Sequence, residues 1–331
     1  MDKPTFVSLQ IVNSCNLNCM QCDYHMENRH PQQLTVQQQC EVVRQIADWS
    51  TDIRLKFTGG EPFVDKARLF AVLEEAHRHG LVTFFLTNAT LIQPDDIHRM
   101  FDLDLGCISV SLDSHVSAIH DAMRGIQGCW NQVASFLDDF TQIRRQRQAS
   151  TQLWASTILT RNNLGCIEEL VRSYEELGFD AIKFQPLYPN YRRLYKDNWK
   201  SDSPLYPTRD EVECGFDQLL ELKQTHPVIS QSEDHIEKMR TYFLSESCDS
   251  TIRCGIMDRV MIIGCEGSVR FCFQQDPTMQ CCEVMPDRDW NVRSTDLKTI
   301  WSESHALRQE MKRGCHQPCG LLWDRVRDIV R

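Results

Sequence analysis

The stretch that decides the fold is FVSLQIVNSCNLNCMQC, residues 6–22, an apolar run from Phe6 to Val12 followed by a polar segment carrying Cys15, Cys19 and Cys22. A short apolar run that breaks off at Asn13 and Ser14 reads as a buried strand delivering a loop. The figure repeats. Ile53–Thr58, Val82–Thr87, Cys107–Ser111, Leu153–Leu159 and Ala181–Phe184 are each short, apolar and followed by polar or glycine residues. Between them Val36–Trp49, Ala67–His79, Trp130–Arg147 and Ile167–Leu177 carry apolar residues at three-and-four spacing, as helices packed on a sheet require. Six strands alternating with helices predict an α/β fold, a partial (β/α)6 TIM-like barrel over residues 1–187, its polar strand ends gathered around one mouth.

After Pro186 the rhythm changes. Residues 188–247 open with an aromatic and basic segment, Tyr188, Tyr191, Arg192, Arg193, Tyr195, Lys196 and Trp199, a candidate substrate lid. Helical stretches follow at Asp210–Thr225 and Asp234–Phe243. Residues 248–331 form a small cysteine-rich α+β region with a hairpin, Val260–Ile263 then Ser268–Phe273 across Gly264–Gly267, and a final helix from Asp296 to Arg313.

Composition narrows the classes. With 331 residues, 41% hydrophobic and 25% charged, the chain is an ordinary globular protein. A formal charge of −10 and the lack of a basic run argue against nucleic acid as a partner. No signal-like amino terminus is legible, and no run of about 18 apolar residues occurs, so no membrane span is expected and the cytoplasm is the expected compartment. Sixteen cysteines in a reducing compartment point to metal ligands rather than disulfides.

Cys15, Cys19 and Cys22 form a CxxxCxxC triplet. Structural zinc takes four ligands, whereas three thiolates on a four-iron cluster leave one iron open to a cofactor. The alternative is a zinc knuckle completed by His25 or His30. The second strand ends in Thr58-Gly59-Gly60-Glu61-Pro62, where paired glycines permit close backbone approach to a ligand. The third ends in Leu86-Thr87-Asn88 and the fourth in Ser109-Val110-Ser111-Leu112-Asp113.

In this order, on successive strands, these elements resemble the radical S-adenosylmethionine superfamily from about Thr5 to Gln185. The resemblance implies that Cys15, Cys19 and Cys22 ligate a catalytic 4Fe–4S cluster whose open iron is chelated by S-adenosyl-L-methionine. It further implies contacts of Gly59, Gly60 and Glu61 with the methionine amino group, and of Asn88 and Ser111 with the ribose or carboxylate. Within His120-Asp121-Ala122-Met123-Arg124-Gly125, Arg124 matches an arginine that reaches the cosubstrate carboxylate. One departure stands out: many members have an aromatic residue before the third cysteine, and this chain has Gln21.

Cys254 and Cys272 bracket Gly267, and Cys315 and Cys319 follow the final helix, giving four spaced thiols. They suit a second, closed cluster or a four-cysteine zinc site. This region resembles the Twitch and SPASM auxiliary-cluster domains, the shorter Twitch version more closely, although the closing pair is CxxxC where those domains usually have CxxC. Cys248, Cys265, Cys281 and Cys282 could replace a ligand or donate hydrogen to a substrate radical. Cys40, Cys107, Cys129, Cys166 and Cys214 read as core or surface residues.

The resemblance implies reductive cleavage of S-adenosylmethionine to a 5′-deoxyadenosyl radical that abstracts a substrate hydrogen, with electrons from flavodoxin or ferredoxin. Oxidative modification of a ribosomally made peptide is the leading expectation. The rival is dehydrogenation of a small molecule such as a cyclitol or sugar alcohol, and a zinc-binding scaffold without catalysis is a third reading. The absence of a cobalamin-binding region before the barrel disfavours cobalamin-dependent methyl transfer.

Overall fold

In the computed structural model the described residues are 3–22, 32–188, 200, 203–245, 255–272 and 290–314. Eight strands make one sheet in the order β6-β5-β4-β3-β2-β1-β7-β8. They are β1 Phe6–Val12, β2 Arg54–Gly59, β3 Thr83–Thr87, β4 Cys107–Ser111, β5 Gln152–Leu159, β6 Ala181–Pro186, β7 Val260–Ile263 and β8 Val269–Arg270. Every neighbouring pair is parallel except the β7–β8 hairpin. The six expected strands are present, each within two residues of its sequence bounds, and strand ends share one edge as anticipated.

Helices cover the outer face, except the last, whose Met311 packs into the smaller apolar cluster with Phe6 and Phe84. They are α1 Val36–Trp49, α2 Lys66–Arg78, α3 Pro94–Asp102, α4 Ser117–Arg124, α5 Cys129–Arg147, α6 Arg161–Leu164 and α7 Ile167–Glu176 in the barrel, then α8 Arg209–Thr225, α9 Glu233–Leu244, α10 Leu297–Glu303 and α11 His305–Gly314. Their starts are written in the sequence: Thr35 with Gln38 and Thr208 with Glu211 close capping boxes on α1 and α8. Strand alternation sends Val7, Leu9, Leu55, Phe57, Ile108, Val110, Ile182 and Phe184 outward into one large core beneath these helices. Truncating a ring such as the fully buried Phe57 to alanine would cost about 3–5 kcal/mol.

Two features differ from the sequence reading. The hairpin does not stand apart: β7 lies parallel to β1, with Phe6 opposite Val260 and Ser8 opposite Ile262, and Met261 and Ile263 join the main core. The single final helix is two, broken at Ser304, whose hydroxyl bonds back to the Trp301 carbonyl at 3.1 Å. The β6 edge is covered by residues 228–230, with Ile182 N–H donating to Val228 at 2.7 Å and Ser230 N–H to Ile182 at 2.9 Å. No helix among the described residues is long and apolar enough to cross a membrane.

Candidate active site at the barrel mouth

The loop that follows β1 is clamped from three sides. From β2, Gly60 N–H donates to the Val12 carbonyl and Glu61 N–H to the Ser14 carbonyl, both at 2.9 Å. The approach is too close for side chains: a Cβ on Gly60 would lie 2.1 Å from the Ser14 oxygen, and Gly59 sits at φ +152° with its Cβ position 2.3 Å from the Val12 oxygen. From the β3 end, Asn88 Nδ2 donates to Asn16 Oδ1 at 2.9 Å, and Asn16 Nδ2 to Thr90 Oγ1 at 2.8 Å. From α4, the Met123 carbonyl accepts from Met20 N–H at 2.8 Å, and Gly125, at φ +72°, leaves only 2.1 Å between a would-be Cβ and the Asn18 oxygen.

Thus held, the three thiols stand at the carboxyl-terminal edge of the sheet. Cys19 is buried, and Cys15 and Cys22 are half-buried. Cys15 Sγ accepts from Leu17 N–H at 3.5 Å and Asn88 Nδ2 at 4.0 Å, and Cys19 Sγ from Arg124 Nη1 at 4.0 Å. Burial pushes the Cys15 thiol up to about 11 and also raises Cys19, so a metal would displace protons there and inherit sulfur-directed donors. Among the described residues no three His, Cys, Asp or Glu side chains converge on a single-ion site. A cluster needs no such convergence, because each thiolate binds its own iron, and the donor set fits it. His25 and His30 lie outside the described residues.

Glu61 is a strap rather than an open carboxylate. Its Oε1 accepts from Phe63 N–H at 3.1 Å and Thr87 Oγ1 at 2.7 Å, and its Oε2 from Asn88 N–H at 2.7 Å, tying the β2 end to the β3 end. Burial raises its carboxyl to about 7 against the pull of these donors.

Sequence reasoning missed a buried polar network under the loop. Asp113 Oδ2 lies 2.7 Å from Arg124 Nη2 and accepts from Gln21 Nε2 at 2.8 Å, while its Oδ1 accepts from Ile158 N–H at 3.1 Å. Burial works against the Arg124 charge, but Asp113, Cys19 and Cys129 outweigh it and push the guanidinium further up. Arg124 is therefore buried in an ion pair, not exposed at a helix end. Gln21, which stands where many relatives carry an aromatic residue, is 1% exposed because its amide reaches inward to Asp113. His120 Nδ1 accepts from Asp113 N–H at 3.3 Å, which leaves Nε2 as the donor toward Cys129 Sγ at 3.6 Å. Cys129, read as a core or surface residue, is fully buried and packs with Leu17 and Cys19 against Cys15 and Cys22. The signal for Asp113 was its place just past a strand end, beside Ser111; nothing in the sequence marked Cys129.

Ser111 is half-buried at the end of β4, opposite Ser156 of β5. Of the second cysteine set only Cys272 is described, buried in an apolar cluster inside the sheet. Cys254, Cys315 and Cys319, with Cys248, Cys281 and Cys282, lie outside the described residues. Cys265 is buried, its Sγ 3.5 Å from Glu266 Oε2.

An open, mostly parallel α/β sheet with a thiol-bearing loop and polar strand ends at its carboxyl-terminal edge defines an α/β-barrel enzyme with its chemistry at the mouth. More narrowly, residues 9–146 match the family model described as the Radical SAM superfamily, and the chain carries a domain of that superfamily. The family implies a 4Fe–4S cluster and S-adenosylmethionine. The AdoMet-dependent heme synthase of Nitratidesulfovibrio vulgaris is 26% identical over 306 residues, covering 92% of this chain and 80% of that protein. The mycofactocin maturase MftC of Mycolicibacterium smegmatis is 23% identical over 220 residues, 66% of this chain and 53% of that protein. In fold, the structure of Streptococcus suis SuiB bound to the precursor peptide SuiA superposes with a TM-score of 0.70 at 13% identity, covering 97% of this chain and 71% of that one.

Proposed function

We propose that this radical SAM enzyme holds its 4Fe–4S cluster through Cys15, Cys19 and Cys22 and oxidises a ribosomally made peptide by removing a hydrogen atom. When bound, the cluster and S-adenosylmethionine supply one-electron cleavage of the sulfonium and a 5′-deoxyadenosyl radical. The observation that carries the reading is the thiol loop fixed at the mouth by β2, β3 and α4, with Asn88 and Arg124 aimed at its sulfurs.

The chain's own residues have distinct tasks in this reading. Gly59 and Gly60, lacking side chains, let the thiol loop close onto the β2 end, where they would face the methionine amino group, and Glu61 fixes the strand ends around it. Asn88 and Ser111 offer hydrogen bonds to the ribose or carboxylate, and the Arg124 charge favours that carboxylate nearby. Aliphatic and aromatic side chains close the barrel floor and exclude water. Cys254, Cys272, Cys315 and Cys319 would hold a second 4Fe–4S cluster in a Twitch-like region from 248 onward, accepting the substrate's electron and making the reaction an oxidation. A cytoplasmic flavodoxin or ferredoxin would supply the reducing electron.

The likeness to the mycofactocin maturase supports a peptide substrate. A second reading, oxidation of a small molecule, is favoured by the heme synthase match, which spans 92% of the chain. Anaerobically reconstituted, reduced protein given S-adenosylmethionine is expected to release 5′-deoxyadenosine, and Cys19→Ala to release none. Stimulation by a precursor peptide supports the first reading and stimulation by a free alcohol the second; equal release by Cys19→Ala refutes both.

A further inference from the structure

The sulfurs of the thiol loop do not receive the same donors. Those on Cys15 Sγ are neutral, Leu17 N–H at 3.5 Å and Asn88 Nδ2 at 4.0 Å. Cys19 Sγ instead faces a guanidinium, through Arg124 Nη1 at 4.0 Å. The contact is buried on both sides, with Cys19 8% and Arg124 7% exposed. His120 and Arg124 stand four residues apart on α4 and so share one face of that helix. From this face both side chains reach Asp113.

The guanidinium is oriented from behind. Its Nη2 lies 2.7 Å from Asp113 Oδ2, and its Nε has no hydrogen-bond partner among the described residues, so Asp113 sets the plane in which Nη1 meets the sulfur. Asp113 is itself fully buried and fixed on every side. Its Oδ1 accepts from Ile158 N–H at 3.1 Å and its Oδ2 from Gln21 Nε2 at 2.8 Å, while its backbone carbonyl accepts from Asn163 Nδ2 at 2.8 Å. Gln21 belongs to the thiol loop, two residues past Cys19, so the loop is tied to the same carboxylate that aims Arg124. A cluster that gains an electron gains a negative charge. In a buried site, a cation donating N–H groups to a ligand sulfur favours that reduced form, and an anion placed behind the cation weakens the effect without cancelling it.

We propose that Arg124, aimed by Asp113, is a positioning residue for the Cys19 ligand and raises the reduction potential of the 4Fe–4S cluster. The proposal rests on the reading above, in which Cys15, Cys19 and Cys22 hold that cluster. It gives Arg124 a task that does not depend on the cosubstrate carboxylate, and it gives the two partners opposite signs: the cation eases reduction and the anion behind it opposes reduction.

The test is the midpoint potential of the cluster-loaded full chain, measured without S-adenosylmethionine by stepwise dithionite reduction followed by electron paramagnetic resonance. Arg124→Gln is expected to lower it by about tenfold or more in the reduction equilibrium, about 59 mV for one electron. Asp113→Asn is expected to move it the other way, and Arg124→Lys, which keeps the charge, to stay near wild type. The double variant Asp113→Asn/Arg124→Gln is expected to fall between the two single variants and below wild type. Loss of packing alone gives no such opposition of sign, and a residue serving only the cosubstrate leaves this potential unmoved. Wild-type potential in Arg124→Gln, or shifts of the same sign in both single variants, overturns the proposal. Where a single variant retains no cluster the double variant decides, and a potential at or above wild type overturns the proposal there too. Iron content and the response of the wild-type signal to S-adenosylmethionine test the underlying reading separately, so the two failures are distinguishable.

Discussion

The carboxylate of Asp113 lies 2.7 Å from the guanidinium of Arg124, and both are buried directly beneath the cysteine loop. Because Arg124 also reaches Cys19 Sγ at 4.0 Å, the pair links the β4 end to the middle thiol of the triplet. Removing one partner strands a buried charge, so Asp113→Asn is expected to destabilise the fold by about 3–5 kcal/mol. The double variant Asp113→Asn/Arg124→Gln is expected to cost clearly less than the sum of the singles in chemical denaturation. Additive losses would mean that the pair does not act as a unit.

Two glycines set how closely the loop can be held. Gly60→Ala forces a methyl to within 2.1 Å of the Ser14 carbonyl, and Gly125→Ala to within 2.1 Å of the Asn18 carbonyl. Both are expected to move the loop and lower the iron retained after anaerobic reconstitution and desalting. Gly165→Ala, with nothing within 4 Å of its Cβ, is the control and is expected to stay within about 0.5 kcal/mol of wild type. Full iron retention in both loop variants would show that the clamp tolerates displacement.

Glu61 gives stability a pH signature. Burial raises its carboxyl from 4.5 to about 7, so between those values the folded chain keeps a proton that the unfolded chain has released. Its contribution therefore shrinks as pH rises from about 5 to about 7. Glu61→Gln sets an amide donor against one of three existing donors and is expected to cost about 1–3 kcal/mol. It also removes the titration, so the gap in Tm between wild type and variant is expected to narrow across that pH window. Parallel profiles would contradict the assignment.

The barrel was legible because each strand is a short apolar run ending in a loop, and β1 and β4 begin and end where the sequence places them. The mouth was legible for the same reason: Cys15, Gly60, Asn88 and Ser111 each sit at a strand end. What stayed hidden depends on contacts between distant residues. Helix α4 is only eight residues long, and its role, holding Met20 and burying Arg124, shows only once the loop is folded against it. The parallel pairing of β7 with β1 joins residues more than 250 apart, a registration that local periodicity does not encode. Gln21 looked like a departure from pattern, and its reason, the hydrogen bond from its amide to Asp113, lies 92 residues away.

The most direct measurement is electron paramagnetic resonance of the reduced variant Cys254→Ala/Cys272→Ala/Cys315→Ala/Cys319→Ala, with and without S-adenosylmethionine. The account predicts about four irons per chain, a 4Fe–4S signal, and a change in that signal when S-adenosylmethionine is added, because Cys15, Cys19 and Cys22 leave one iron open. A variant that binds no iron, or a cluster signal indifferent to S-adenosylmethionine, would contradict the assignment of the triplet as the catalytic cluster's ligands.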